Sequence, residues 1–331
     1  MRPVQTRLAD IFSLALGPHP QRELTLMAHS QRALALARFA IAAGALAVIA
    51  CATVLGAQST NQNAIASGQN IAPVYEGWEP NPDGSFNLVF GYMNRNWDEE
   101  IDVPVGPENT LDPGGADQGQ PTHFFPRRNR FIFKIRVPKD FGTKEIVWTL
   151  TTHGKTERAY GTLKPDYVID DVVVMANVGA GGQTGTTPDL KGNIAPVLKV
   201  EGEKNRVAKV GEPQSLTAVA TDDGKPRTRA MPALLGGNRV LPNTATGLRL
   251  SWFLYRGPAA VTFDPPQTKV WEDTRDGGNS PWSAGWKTPP VPPEGRWATK
   301  VTFGKPGKYV LRCLAHDGGL FAYDDITVVV N

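Results

Sequence analysis

The chain has 331 residues, enough for about two ordinary domains, and its 34 glycines and 28 prolines favour a turn-rich all-β protein over a helical one. The formal net charge of +3 resides in residues 1–38, where five arginines less Asp10 and Glu23 give the same +3. Because residues 39–331 then carry no net charge, the large C-terminal part lacks the basic field that nucleic-acid-binding domains use, and no nucleic-acid partner is expected.

An uncharged apolar run of 19 residues, 39–57, directly follows this basic segment. As a helix it would be about 28 Å long, close to the ~30 Å hydrocarbon core of a bilayer, and the arginines before it follow the positive-inside rule. We predict a single-pass anchor in the inner membrane, with residues 1–38 in the cytoplasm and the bulk of the chain in the periplasm. Two alternatives stay open: a secretory signal cleaved after Ala57, and a lipoprotein signal cut before Cys51.

A polar linker is predicted at residues 58–72 and a first β-sandwich at 73–165. Within the sandwich the segments SFNLVFGY, RFIFKIRV and EIVWTLTT alternate apolar and polar residues, as half-buried antiparallel strands do. In RFIFKIRV, Phe131 and Phe133 are expected to share the buried face, and Ile132 is the one apolar residue on the otherwise charged face.

A Gly-rich linker is predicted at 166–193, because its Gly-rich part at 176–193 lacks both a helical pattern and the Gly-Lys-Ser/Thr tripeptide of a phosphate-binding loop. A second sandwich follows at 194–331, where LRLSWFLY and PGKYVLRCLAHDGG alternate. The Trp in a central strand, the Pro-Gly-x-Tyr and the terminal strand resemble an immunoglobulin-like sandwich of the polycystic-kidney-disease or bacterial Ig-like type, a resemblance that implies a fold but no activity. The predicted fold class is all-β: two Ig-like β-sandwich domains preceded by one N-terminal transmembrane helix.

Candidate catalytic groups are scarce, because residues 58–331 contain three histidines and neither a Gly-x-Ser-x-Gly nor a His-Glu-x-x-His motif. Cys313 and His316, after PGKYVLR, resemble the copper loop of a cupredoxin, but this segment lacks the second His and the Met of such a site. We therefore predict no enzyme activity, no metal and no cofactor, and keep a copper electron carrier as an alternative. Cys51 and Cys313 are too distant in the predicted architecture to form a disulfide.

Aspartates form a second candidate group. The topology of an Ig-like sandwich could bring Asp222 or Asp223 near Asp317 at one pole, where clustered carboxylates could bind calcium. An Asp before Gly also bonds its own turn, which is the simpler interpretation of these residues. A periplasmic module that binds calcium or a glycan stays open as an alternative function.

Three loops are candidate docking surfaces. Four of the eight tryptophans fall within residues 271–297, a Pro- and Gly-rich segment without strand period, and residues 229–243 form a second, apolar loop. The basic loop 112–131 could receive an anionic partner; alternatively, it is a turn-rich connection whose Arg side chains are solvated. The alternative for the other two loops is that both fold back over their own sandwich. The predicted interface residues are Trp271, Trp282, Trp286, Trp297, Met231, Leu234, Leu235, His123, Arg127 and Arg128.

The segments APVYEGWEPNPDGSFNLVFGYMNRNWDEEIDVPVGPEN, GNIAPVL and PGKYVLRCLAHDG are similar to a family of uncharacterised exported bacterial proteins. One member type that the chain resembles is the extra periplasmic subunit of a double-ring photosynthetic reaction-centre and light-harvesting complex. The resemblance implies a structural subunit whose partners are the subunits of a membrane protein complex, with the bilayer contacted through residues 39–57. We expect a non-enzymatic, membrane-anchored accessory subunit that stabilises such a complex.

Overall fold

The computed structural model describes residues 65–182, 187–233 and 243–331. The predicted basic segment and anchor, residues 1–57, lie outside the described residues, as do the interface candidates Leu234 and Leu235. Within the three described ranges, no helix has the length and apolar character needed to cross a bilayer. Residues 64–331 form one compact unit.

Two antiparallel sheets build the N-terminal part of this unit, with strand orders β1-β2-β6 and β4-β7-β8, while β3 pairs with β5. The fold is all-β, as the alternating segments predict. The strand bounds are β1 Ile71–Pro80, β2 Phe86–Asn94, β3 Ile101–Asp102, β4 Asn109–Asp112, β5 His123–Phe124, β6 Arg127–Val137, β7 Ile146–Thr152 and β8 Lys155–Gly161.

Aromatic side chains from both sheets fill the core of this first sandwich. Phe90 stacks on Phe133 with ring centroids 5.3 Å apart, and Trp148 of the other sheet meets Phe133 edge-on at 5.0 Å. The Trp148 indole N–H donates to Asn109 Oδ1 at 3.0 Å, so the polar atom of this fully buried ring is satisfied. The strict in-and-out burial of β7 follows from this packing.

A bulge in β6 overturns one prediction. Phe90 pairs with Phe133 and Tyr92 with Asn129, so three residues of β6 stand opposite Gly91. Phe131, with φ of 54°, therefore packs in a separate buried cluster with Val89 rather than in the Phe133 core. The prediction that Phe131 and Phe133 share one face is wrong, because the bulge and the positive φ of Phe131 redirect its side chain away from the Phe133 core.

The second sandwich also pairs two sheets, of orders β10-β16-β15-β12 and β13-β14-β11-β9, with β10 parallel to β16 and the other pairs antiparallel. Its core is mostly aliphatic around Trp252, Phe303 and Tyr309. The strand bounds are β9 Val197–Val200, β10 Asn205–Ala208, β11 Gln214–Thr221, β12 Arg249–Arg256, β13 Val261–Asp264, β14 Arg296–Phe303, β15 Gly307–His316 and β16 Phe321–Val330.

The segment between the sandwiches contains helix α1, Asp171–Val178, although the sequence pattern predicts none there. The Asp170 carboxylate caps its first turn by accepting from the Val173 N–H at 2.9 Å, and Gly179 ends it in the left-handed conformation. Short 3-10 helices occur at Pro165–Tyr167, Pro188–Leu190 and Pro293–Gly295.

Candidate functional site: the seam between the sandwiches

One sheet of the second sandwich is covered on both faces. Its inner face belongs to the second core, whereas Phe253, Tyr255 and Leu314 on the other face belong to the same buried cluster as the first core, which includes Ile132 and Phe125. We call this contact, between Phe125 and Ile132 on one side and β12, β15 and β16 on the other, the seam. It explains why β12 is buried almost continuously instead of alternating.

A stack of aromatic rings closes one end of the seam. Phe125 lies flat on Trp271, with centroids 4.9 Å apart and planes 10° from parallel, and meets Phe253 edge-on at 5.8 Å. Trp271 comes from the Pro- and Gly-rich loop, so this loop folds back over the first sandwich.

Arg312 is the polar centre of the seam. Its side chain is 8% exposed, donates to both Asp325 carboxylate oxygens at 2.7 and 2.8 Å, and donates across the seam to the Ile132 carbonyl. The guanidinium also lies over the rings of Tyr255, at 3.6 Å, and Tyr323, at 4.7 Å. Burial by itself would lower the pKa of Arg312, but Tyr255 and Asp325 outweigh it and raise the pKa, so the buried cation is stable only because every side of it is paired.

The end of β12 holds the loop before β5 through a row of hydrogen bonds. The Tyr255 hydroxyl donates to the Gly119 carbonyl at 2.5 Å, and Arg256 Nε donates to the Gln120 carbonyl at 2.7 Å. The Thr122 N–H donates back to the Tyr255 carbonyl at 3.2 Å. The unusual loop at 112–131 is therefore part of the contact between the sandwiches.

His123 lies between two carboxylates of its own chain. Its Nδ1 is 2.7 Å from Asp102 Oδ1 and its Nε2 is 3.0 Å from Glu100 Oε2, while the ring is 4% exposed. Burial by itself would lower the pKa of His123, but these hydrogen bonds outweigh it and raise the pKa to about 9. At neutral pH both ring nitrogens are therefore donors, which leaves no lone pair for a metal or for proton abstraction.

The arginines predicted to receive an anionic partner already have partners within the chain. Arg128 Nη2 lies 2.7 Å from the buried carboxylate of Glu76, and Arg130 pairs with Glu272 of the Trp-rich loop. Arg127 lies over the Trp97 ring at 4.2 Å. The sequence predicts a loop here, whereas Arg127, Arg128 and Arg130 lie at the start of β6. It also contains no signal of which acidic residues these cations contact.

A fully buried aspartate anchors the Trp-rich loop. Asp273 accepts from Lys269 Nζ at 2.6 Å and from Arg275 Nε at 2.8 Å. Burial by itself would raise the pKa of Asp273, but these two cations outweigh it and lower the pKa to about 2. Arg275 also reaches Asp98 of the first sandwich at 2.6 Å, so the loop is tied across the seam by charge as well as by Trp271.

The predicted tryptophans divide into buried and accessible sets. Trp282 is 7% exposed and its indole N–H donates to the Val178 carbonyl of α1 at 3.2 Å. Met231, 2% exposed, is buried as well, and its N–H donates to the Trp286 carbonyl at 2.9 Å. Trp271, Trp286 and Trp297 are all half-buried. Because Trp271 belongs to the seam through its stack on Phe125, Trp286 and Trp297 are the half-buried tryptophans left for contact with a partner.

Cys313 and His316 do not form a joint site. Cys313 is fully buried in the second core, where burial raises the pKa of its thiol, whereas His316 points to the opposite face of β15, towards a small cavity shared with Ile132. His316 Nδ1 accepts the Gly318 N–H at 2.8 Å, and burial lowers its pKa. The copper-loop interpretation does not fit this geometry. Across the described ranges, no group of three or more His, Cys, Asp or Glu side chains is placed to hold a metal ion.

The aspartates of the predicted pole bond nearby backbone. Asp222 accepts from the Gly224 N–H and Asp223 from the Lys225 N–H, each at 2.9 Å. Asp317 accepts from two N–H groups of its own turn and from Asn193 Nδ2 at 3.0 Å. These contacts are those of turn-forming aspartates.

The seam residues Arg312, Tyr255 and Arg256 are absent from the sequence-based candidates. A signal for them exists, because Phe253 and Tyr255 are aromatic residues on the face of β12 that simple alternation leaves to solvent, and Ile132 is the matching exception in β6. The sequence does not indicate which residues these three side chains contact.

Comparisons with known proteins place no family name on the chain. No protein-family model matches it. No curated protein matches it either. Among solved structures it is similar to domains 4 and 5 of the S-layer protein SbsC, at 9% identity over 57% of this chain and 65% of that chain, with a TM-score of 0.21. It is also similar to the fibronectin(III)-like modules of Clostridium thermocellum CbhA, at 9% identity over 82% and 93%, with a TM-score of 0.20.

The titin domains Z1Z2 in complex with telethonin are a further similar structure, at 8% identity over 78% of this chain and 96% of that chain, with a TM-score of 0.22. Scores this low carry no argument about function. The assignment of two β-sandwiches rests on the sheets and cores of the chain itself.

Proposed function

We propose that this chain is a non-enzymatic, membrane-anchored periplasmic accessory subunit that docks on a membrane protein complex and braces it. The observation that carries the proposal is the seam. The two sandwiches are joined into one compact unit by the Arg312–Asp325 pair and by the Phe125–Trp271 stack. Such a unit is suited to holding other subunits of a complex at a fixed distance from one another.

The chemistry of the described side chains supports a structural role. His123 has both nitrogens occupied by carboxylates, Cys313 is buried in an apolar core, and the basic loop is paired with acidic residues of the same chain. Groups that could perform catalysis are thus used to stabilise the fold.

The membrane and the partner enter the proposal from the sequence. The apolar run at 39–57 and the basic segment before it are the basis for the anchor and for the periplasmic location. A photosynthetic reaction-centre and light-harvesting complex is the specific partner we propose, on the basis of the family resemblance.

The docking surface we propose includes the half-exposed rings of Trp286 and Trp297. Gentle detergent solubilisation of native membranes, followed by affinity purification of the tagged full chain, should recover companion membrane proteins. Replacing both tryptophans by Ala should reduce their yield severalfold. Tyr160→Ala removes an exposed aromatic ring from the first sandwich and should leave the yield unchanged. Recovery of the native chain as a lone monomer would contradict the proposal.

A further inference from the structure

A buried histidine lies in the seam without a carboxylate partner. His316 of β15 is 6% exposed and borders a cavity of about 40 Å³ between the sandwiches. In the part of the chain that the structure describes, the two other histidines, His123 and His153, each lie within 3.1 Å of a carboxylate oxygen, whereas His316 lies within ion-pair distance of none. The ring is therefore placed where a positive charge has no counter-charge.

One hydrogen bond requires the neutral form of this ring. His316 Nδ1 accepts from the Gly318 N–H at 2.8 Å. Because a backbone N–H can only donate, the bond needs the lone pair that protonation of Nδ1 removes. A protonated His316 would set two N–H donors against each other, and the turn after β15 would lose this bond.

The charged groups around the ring do not compensate a positive charge. Arg249 of β12 stands directly opposite His316 in the strand pairing, and Arg128 and Arg130 of β6 line the cavity. The two arginines of β6 already have partners, Glu76 and Glu272. The cavity has room for roughly three water molecules, too few to hydrate an ion. Burial and the charge of Arg249 accordingly lower the pKa of His316.

The other neighbours of the ring are uncharged or bonded elsewhere. Val178 of α1, together with Val270 and Trp282 of the Trp-rich loop, forms an apolar part of the cavity wall, and Tyr323 of β16 contributes a phenol. The Asp317 carboxylate accepts from two N–H groups of its own turn. A protonated His316 therefore finds no acceptor of opposite charge inside the seam.

We propose that His316 is an acid-sensitive switch in the seam: when its ring is protonated it leaves the cavity, and α1 and Trp282 separate from β15. A charged ring can be hydrated only outside the cavity, and α1 and the Trp-rich loop are the cover on that side. Because α1 has only eight residues, it should unfold once this packing is lost, whereas the cores of the two sandwiches stay intact. The inference concerns the seam and does not depend on the proposed docking surface.

The pH range follows from the sign of the linkage. The folded pKa of His316 is below 6.5, so the closed seam is most stable above about pH 6.5 and loses stability as the pH falls. At pH 5 the equilibrium constant for opening should exceed its value at pH 7.5 by up to about 30-fold. Asp317 titrates in the same range with the opposite sign, because burial raises its pKa to about 6. Its contribution is common to wild type and to a His316 variant, so it cancels in their comparison.

The test is hydrogen exchange of the full-length protein in detergent, followed by mass spectrometry at pH 5 and pH 7.5, with rates corrected for intrinsic exchange. In the wild type, the amides of residues 173–180 should exchange at least about tenfold faster at pH 5, while those of β11 are still protected. His316→Asn is the matched control, because its side-chain oxygen can accept from the Gly318 N–H and the side chain cannot be protonated in this range. It should show no such acceleration.

A second variant keeps the test informative if His316→Asn fails to fold. Arg249→Met removes the charge opposite His316 and should reduce the acceleration severalfold, because the protonated ring then meets less repulsion. The proposal would be overturned by a wild type without acceleration, by equal acceleration in His316→Asn, or by undiminished acceleration in Arg249→Met. Exchange of α1 and β11 together at pH 5 would also overturn it, since that result indicates unfolding of the whole chain.

Discussion

The two faces of the β10-β16-β15-β12 sheet are both buried, but by different kinds of interaction. The inner face presents Leu311, Cys313 and Ile326 to a core made by its own sandwich, and all three are apolar. The outer face presents Arg312, Leu314 and Tyr323, and it is buried as well, but against the first sandwich. Hydrophobicity alone builds the inner face, whereas the outer face combines apolar packing with a buried, fully paired cation. A domain contact made this way has a defined geometry, because the guanidinium has one arrangement that satisfies all its partners.

The largest effect on the outer face of the sheet is expected when the positive charge of Arg312 is removed. Arg312→Met keeps most of the side-chain length but leaves Asp325 and the Ile132 carbonyl without their donor. We expect the free energy of unfolding to fall by about 2–3 kcal/mol, less than the ~3–5 kcal/mol of a fully buried pair, because the Asp325 side chain is 36% exposed. Urea denaturation of the full-length protein measures it.

The control for this experiment is the double variant Arg312→Met with Asp325→Asn, which also removes the unpaired carboxylate. It should recover part of the lost stability. A loss below about 1 kcal/mol for Arg312→Met would show that the ion pair does not hold the seam.

Two leucines on β15 allow the stability contributions of the two faces to be compared directly. Leu311, fully buried, belongs to the inner core, and Leu314, 9% exposed, belongs to the seam. We expect Leu311→Ala to cost about 3–4 kcal/mol and Leu314→Ala about 2–3 kcal/mol, both within the usual range for Leu→Ala in a core. Only Leu314→Ala should separate the unfolding of the two sandwiches into two calorimetric transitions. A single transition in both variants would contradict the distinction between the faces.

His123 makes the first sandwich sensitive to alkaline pH. Its pKa is about 9 in the folded protein, above the ordinary value of 6.5, so its pairing with Asp102 and Glu100 stabilises fully below about pH 6.5 and is lost as the pH rises through 9. The 2.5-unit difference corresponds to at most about 3 kcal/mol, and to less because the two carboxylates are 40–44% exposed.

The measurement is urea denaturation at pH 6, 8 and 10 for the wild type and for His123→Gln, which cannot be protonated in this range. Wild-type stability should decline towards pH 10 more steeply than that of the variant. Parallel pH profiles would exclude a stabilising charge on His123.

The smallest expected effect concerns helix α1, between the sandwiches. Asp170→Ala removes the carboxylate that accepts from the Val173 N–H, and loss of such a cap costs about 1 kcal/mol. Asp170→Asn keeps an acceptor and should retain most of the stability. Equal losses in both variants would mean that the side-chain cap is not what stabilises the helix.

Sequence patterns were informative wherever a strand had one buried and one exposed face. The alternation in residues 146–150 matches the burial of β7, and the alternation in residues 309–315 identifies the inner face of β15. The patterns failed at the bulge around Phe131, where the backbone with positive φ redirects the side chain, and in the linker, where α1 is too short for a clear periodic signal.

The candidate site was predicted only in part for a related reason. His123, Arg127 and Arg128 are predicted as loop residues, whereas the structure places them in β5 and β6. Their partners Glu100, Asp102 and Glu76 are distributed along the chain without any local signal. Trp271 stood out by composition, whereas its contact with Phe125 depends on how two domains meet. Arg312 was simply a polar residue at an alternating position.

The sequence by itself determined that the chain after residue 72 is all-β, because alternating apolar residues are stable only as half-buried strands. It also determined that the cysteine at position 313 faces a core. Only the tertiary structure decided that the opposite face of the same strand is buried too, since burial of a charge such as Arg312 requires acceptors and rings from β6, β12 and β16, and their meeting is a property of the assembled chain.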